Sequence, residues 1–304
     1  MVGWSGTRRR HEPVGPLTST AAPHELETRW RQDLAAWAIP EDILTQAMES
    51  PWCYPARLFA SRADEQLATP SGPSYERAAE ALPLGGSVLD IGAGAGAASL
   101  PLADRAGQLV AVDPEQAMLD AYAERATRLG KTVRLVQGRW PDVAEQISPV
   151  DVVVCHHVLY NVAEPVPFLR AMNSAALQRV VIELTAQHPM TPLNPLWLRF
   201  HGLRRPDRPT AEQMLELIVA LGWNVSIAGW SRPASGFGEF SEVVAQTCRT
   251  LCLPPDRAPE VGSALRELGV DPADPGGIGG PRRLATLWWD QAGPASPVTS
   301  RRMQ

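Results

Sequence analysis

Residues 87–96 read Ser87-Val88-Leu89-Asp90-Ile91-Gly92-Ala93-Gly94-Ala95-Gly96, a short apolar run that carries a carboxylate and breaks into three glycines. Such a run favours a strand, and the glycines permit the sharp turn and close backbone approach that a bound ligand requires. The reading predicts that the loop then enters a helix whose first N–H groups stay free for that ligand. The glycines alone leave two ligand classes open, because Gly92-x-Gly94-x-x-Ala97 also satisfies the dinucleotide fingerprint. Asp90 bears on the choice. A carboxylate just before the turn repels a pyrophosphate, yet it attracts a cationic amino-acid end such as that of S-adenosylmethionine.

Outward from this loop, short β-branched runs alternate with longer helical ones: Gln108–Val112, Thr132–Val136, Val150–Cys155 and Arg179–Thr185. The alternation predicts a parallel sheet with crossover helices, and consecutive apolar positions such as Val152-Val153-Val154 predict helices on both faces. Upstream, Leu26, Trp30, Leu34 and Trp37 recur at helical spacing, and further helices are expected at Asp42–Ser50, Arg57–Leu67 and Tyr75–Leu82. Downstream, Thr210-Ala-Glu-Gln213 has the spacing of a capping box and Gly222 suits a helix end. A strand at Trp223–Ala228, helices at Phe240–Leu251 and Ala258–Leu268, and a last strand at Leu284–Trp289 follow. The chain is thus read as a tail (1–23), a helical cap (24–84), a core (85–230), a helical insertion that is a candidate substrate cover (231–282), a last core strand (283–292) and a tail (293–304). Both tails have the composition of disordered segments.

The chain has 304 residues, 44% hydrophobic and 20% charged, enough for one large core with a smaller appendage. No apolar run is long enough for a membrane helix, and Arg8, Arg9 and Arg10 precede no apolar leader, so a cytoplasmic location is expected. The four cysteines, Cys53, Cys155, Cys248 and Cys252, are read as free thiols, and no metal site is expected. A net charge of -5 speaks against a nucleic-acid partner and for a small-molecule one.

The strand, the acid Asp90 and the Gly92-x-Gly94-x-Gly96 turn together resemble the first motif of the class I S-adenosylmethionine-dependent methyltransferases. Leu109-Val-Ala-Val-Asp113 resembles their second, a strand closed by an acid. The resemblance implies a Rossmann-like α/β fold with a seven-stranded, mostly parallel sheet, helices on both faces and a helical cap. It implies S-adenosyl-L-methionine as cofactor and transferase activity by direct in-line methyl transfer. Asp113 is then expected on the ribose hydroxyls, although Asp113-Pro114 also makes a good helix start. Pro114 and Met118 are expected near the adenine. After the third strand relatives commonly place an acid, whereas this chain reads Gln137-Gly138-Arg139-Trp140-Pro141-Asp142. Gly138 and Arg139 are expected to offer backbone groups and Trp140 its ring, with Asp142 as a lesser candidate for the adenine amino group. Ala93, Gly94, Gly96 and Cys155 complete the expected cofactor set.

Beyond the fourth strand, His156, His157 and Tyr160 are candidates for the reaction site, since ligands in such sheets bind outside the carboxyl ends of the strands. A histidine can accept a proton from a hydroxyl or amine, with His157 the preferred base. Ten tryptophans, several in the cap segments, favour an aromatic or hydrophobic small acceptor. Two other functions stay open: a nicotinamide-dependent oxidoreductase using the same loop, and a non-catalytic S-adenosylmethionine-binding module.

Overall fold

The computed structural model describes residues 21–52, 56–233, 239–275, 278 and 280–291. Both expected tails, apart from residues 21–23, and Cys53 lie outside these. The described chain folds around a seven-stranded sheet: β1 (Gly86–Ile91), β2 (Ala106–Asp113), β3 (Val133–Gln137), β4 (Val150–His156), β5 (Ala176–Thr185), β6 (Ser226–Arg232) and β7 (Arg282–Asp290). Their order across the sheet is β3-β2-β1-β4-β5-β7-β6. Neighbours from β3 to β5 pair in parallel, while β7 runs antiparallel between β5 and β6. The expected α/β class and mostly parallel sheet are therefore correct.

The central strands are apolar on both faces, and both faces are covered. Val88, Val152, Val154 and Val181 face one cluster with Leu100, Leu102 and Tyr122. Leu89, Ile91, Val153 and Ile182 face another with Phe168, Met172 and Leu217. Helices α5 (Gln116–Arg128) and α6 (Pro165–Ala175) supply crossover connections, and α8 (Ala211–Ala220) packs on α1 (Pro23–Ala35). The expected capping box opens α8: Thr210 Oγ1 accepts from Gln213 N at 3.4 Å and Gln213 Oε1 accepts from Thr210 N at 3.0 Å. On α1, Leu26 and Trp30 are buried as the spacing predicts, and Trp30 Nε1 donates to the Val162 carbonyl at 2.9 Å.

Three sequence expectations need correction. No α-helix follows the glycine loop; the chain makes turns and one 3-10 turn at Leu100–Leu102 before entering β2. Pro101 lacks an N–H and its ring collides with the carbonyl four residues back, so a helix begun at Ala97 cannot continue. Strand β6 begins at Ser226 rather than Trp223. Trp223 is apolar for another reason, since its ring stacks on Trp289 with centroids 5.1 Å apart. Helix α2 spans only Glu41–Leu44, because the residues after it bury no stripe and Met48 is exposed. Helices α9 (Phe240–Thr250) and α10 (Ala258–Glu267) form with α2 and α7 (Asn194–His201) a separate apolar cluster around Val243, Leu251, Val261 and Trp197.

Of the expected cap, α4 (Pro73–Ala81) lies directly on β4, β5 and β7. Helix α3 (Ala56–Ala68) is fastened to α5 by a fork: Arg125 Nε and Nη2 donate to the two oxygens of Asp64 at 3.0 and 2.8 Å. Such two-pronged pairs fix orientation as well as distance.

Candidate active site

A cavity of about 1120 Å3 opens along the carboxyl ends of the first five strands. Single small-molecule sites usually occupy roughly 300–1,000 Å3, so this one has room for two molecules side by side. Of the expected cofactor residues, Gly92, Ala93, Gly94, Asp113, Pro114, Met118, Gly138, Arg139 and Trp140 line it, and Asp142 does too. His156 and His157 line the same cavity. Asp90, Gly96, Cys155 and Tyr160 do not.

The glycine turn is built by sterics. Gly92 and Gly96 have φ of 69° and 94°, a region disfavoured for residues with a Cβ. A Cβ on Gly92 would stand 2.3 Å from Val158 Cγ2, and one on Gly96 2.3 Å from Leu100 Cδ1. Gly96 is therefore a packing glycine. A Cβ on Gly94 would meet no protein atom, which leaves its backbone open toward the cavity. Asp113 holds the turn from the next strand: Oδ2 accepts from Gly94 N and Oδ1 from Glu115 N, both at 2.9 Å. Each carboxylate oxygen keeps a further lone pair for a ligand hydroxyl. Burial pushes the Asp113 carboxyl up, against the lowering effect of these two N–H groups.

Asp90 lies behind the turn at 1% exposure. Its Oδ2 accepts from Ser99 Oγ at 2.6 Å, and that hydroxyl also meets Tyr122 Oη at 2.8 Å. Oδ1 has no hydrogen-bond partner among the described residues. Burial pushes the carboxyl up to about 7. Cys155 is buried in the core, which pushes its thiol well above the ordinary range. Tyr160 is likewise sealed: its hydroxyl donates to the Thr185 carbonyl at 2.7 Å and its ring stacks on Trp30. The expectation that Tyr160 lines the reaction site is thereby corrected, because the 3-10 turn at Leu159–Asn161 folds its ring inward. Trp140 reaches the cavity with a buried ring whose Nε1 donates to the Phe168 carbonyl at 3.2 Å.

At the other end of the cavity, β4 and β5 bring His156 and Glu183 into register. His157 follows with φ of 61°, a strained value for a side-chain-bearing residue, and its N–H donates to the Glu183 carbonyl at 2.8 Å. Its Nε2 lies 2.9 Å from Glu183 Oε1, a close approach whose angle falls short of a full hydrogen bond. Glu183 is buried. Burial pushes its carboxyl up, but His156, His157 and the Ser74 hydroxyl outweigh this and hold it below the usual carboxylate range. Ser74 stands in the first turn of α4, whose positive end also favours a carboxylate. Burial pushes His157 down to about 4; Glu183 pulls it up, while Arg282 and Arg232 push it further down. His156 is pushed down by burial as well. Burial thus disfavours charge on both imidazoles, while the surrounding groups hold Glu183 toward its ionised form.

Three further contributors carried no sequence signal that was used. Glu183 sits inside Val180-Val-Ile-Glu-Leu184, and a carboxylate in an apolar run demands a buried partner. That signal could have found it. Arg232, at the end of β6, lines the cavity with a buried Nε that has no partner among the described residues. Phe59, Arg62 and Gln66, one face of α3, close the cavity together with Trp52, and no periodicity could place them there. Among the described residues of 233–281, none lines the cavity. No group of histidine, cysteine and carboxylate side chains suited to a metal occurs among the described residues, and no helix there is long and apolar enough to cross a membrane.

The family described as a methyltransferase domain matches residues 88–177. Among solved structures, the YcgJ protein from Bacillus subtilis is similar at 17% identity and a TM-score of 0.48, covering 77% of this chain and 99% of that one. Magnesium protoporphyrin IX methyltransferase from Synechocystis is similar at 17% identity and a TM-score of 0.44, covering 76% of this chain and 83% of that one. An rRNA methylase from Streptococcus thermophilus is similar at 12% identity and a TM-score of 0.41, covering 73% and 99%. Comparison with curated proteins finds no match.

Proposed function

Since residues 88–177 of this chain form a methyltransferase domain, we propose that it binds S-adenosylmethionine on the glycine turn and methylates a small molecule held at the far end of the same cavity. One observation carries the reading: Gly94, Asp113 and the strand-four histidines line a single cavity roomy enough for donor and acceptor together. The residues present fit the donor. The open face of Gly94 admits its amino-acid part, with the unpartnered Oδ1 of Asp90 behind the turn. Asp113 can accept from the ribose hydroxyls, and Met118 with the backbone at Gly138 and Arg139 borders the space for adenine.

The bound donor supplies an electrophilic sulfonium methyl. The protein's part is alignment and exclusion of water, which in well-positioned reactions supplies much of the rate. Net charge of -5 and a partly aromatic cavity favour a small acceptor over a nucleic acid. Titration calorimetry with S-adenosylhomocysteine tests the donor site: micromolar binding is expected, and no heat at millimolar ligand would remove the proposal. Transfer of labelled methyl to RNA, with none to small molecules, would overturn the acceptor class.

A further inference from the structure

The acceptor end of the cavity carries more chemistry than binding needs. An ionised carboxylate, two imidazoles and a guanidinium nitrogen without a partner crowd beside an aromatic rim. The geometry points to an aromatic hydroxyl compound as the acceptor, with His157 taking the hydroxyl proton and Glu183 holding the imidazole in the required tautomer. This rests on the glycine end being the donor site.

Glu183 is acceptor-only when ionised, so its approach to within 2.9 Å of His157 Nε2 favours the tautomer with the proton on that nitrogen. Nδ1 is then the lone-pair nitrogen. The strained backbone of His157, tied by its N–H to Glu183, holds the ring at the strand end. A neutral amine presents its own lone pair and needs no base before transfer. A hydroxyl must lose its proton, and a base is what this end provides. A carboxylate acceptor, in contrast, would meet the ionised Glu183.

In the transfer, the acceptor O–H bond breaks and its proton passes to Nδ1. The oxygen bonds the methyl carbon as the S–CH3 bond breaks, and those electrons stay on sulfur, which becomes a neutral thioether. The imidazolium, beside Glu183, then releases its proton to water. Arg232 and His156, whose Nε and Nε2 are buried and lack partners among the described residues, line the same end of the cavity and add polar groups beside the acceptor. The ring is assigned from the rim: Trp52 and Phe59, large apolar side chains that line the cavity, are 49% and 37% exposed.

The test uses four probes with one ring system: 2-naphthol, 2-naphthylamine, 2-naphthalenethiol and 2-naphthoate. Transfer of labelled methyl to naphthol at least about 10-fold faster than to the others is expected. His157→Gln should lower naphthol kcat by about 100-fold or more, the usual scale for loss of a general base. It should leave S-adenosylhomocysteine affinity and the binding of naphthol, followed by its fluorescence, within about 3-fold. Glu183→Gln should lower kcat with KM unchanged, the signature of a positioning residue. Equal or faster transfer to any of the other three, no transfer to all four while S-adenosylhomocysteine binds, or an unaffected His157→Gln enzyme would each overturn the inference. Absence of S-adenosylhomocysteine binding would instead strike the donor site.

Discussion

The donor end of the cavity is assembled from one continuous turn and the ends of two neighbouring strands, whereas the acceptor end is gathered from α3, α4, β4, β5 and β6, segments far apart in the chain. The donor end is shaped by backbone: positive φ angles, N–H groups pinned on Asp113, and one glycine left open. The acceptor end is shaped by side chains whose partners are one another. A site made of backbone is written locally in glycines. A site made of side chains is written in packing, and only the folded sheet reveals it.

That contrast can be broken at four points. The largest effect is expected from Asp90→Asn. The Asp90 carboxyl rises from 3.8 to about 7 in the fold, so between these values the folded protein holds a proton that the unfolded chain releases. This contribution to stability is full below 3.8 and is lost as pH rises through about 7. A shift of about 3 units corresponds to at most about 4 kcal/mol. Thermal melts of both proteins should show the wild type losing stability relative to the variant from pH 4 to pH 8; parallel curves would refute the buried titration. His157 works the other way: lowered from 6.5 to about 4, it removes stability as pH falls through that window, in both proteins equally.

Next, Asp113→Ala removes the acceptor of Gly94 N–H and of the ribose hydroxyls. Hydrogen bonds to charged groups contribute about 1.5–3 kcal/mol each, so S-adenosylhomocysteine should bind about 100-fold or more weakly by calorimetry. Naphthol binding in the absence of donor should stay within a few fold, and an equal loss at both ends would erase the distinction between them.

A smaller effect is expected at Gly92, where the two ends touch. Gly92→Ala sets a methyl against Val158 at a φ of 69° and should cost about 1–3 kcal/mol in denaturant melts. Adding Val158→Ala should return part of it; strict additivity would mean that the contact carries nothing. Smallest of all, Phe59→Ala at the rim should raise acceptor KM about 3–10-fold, the scale of one aromatic contact, with melting temperature unchanged. A change in donor affinity instead would place the donor under α3.

The legible part of the molecule follows the same division. Asp90, the glycines and Asp113 could be read because strand ends and tight turns have short-range rules. Thr210 and Gln213 obeyed another, the capping box. Tyr160 could not, since four residues beyond a strand end a short turn decides between cavity and core. Glu183 was passed over as a strand residue, although its apolar neighbours called for a partner. Trp223 misled because stacking on Trp289 mimics a strand's apolar mark. The face of α3 depended on Arg125 gripping Asp64 from another helix, a contact that no local pattern announces.

The missing helix after the glycine turn has a bearing on ligand choice. Phosphate-bearing nucleotides are usually received by the aligned amide dipoles of such a helix. Here the chain runs from the turn into a single 3-10 turn instead, and Asp113, Glu115 and Asp142 line the space. A pyrophosphate entering at the glycine turn would find acids close by and no helix opening from that turn. A nucleoside joined to an amino acid brings no phosphate and carries positive charge. On the proposed reading, the turn would favour a nucleoside without phosphates over nicotinamide and flavin dinucleotides on electrostatic grounds.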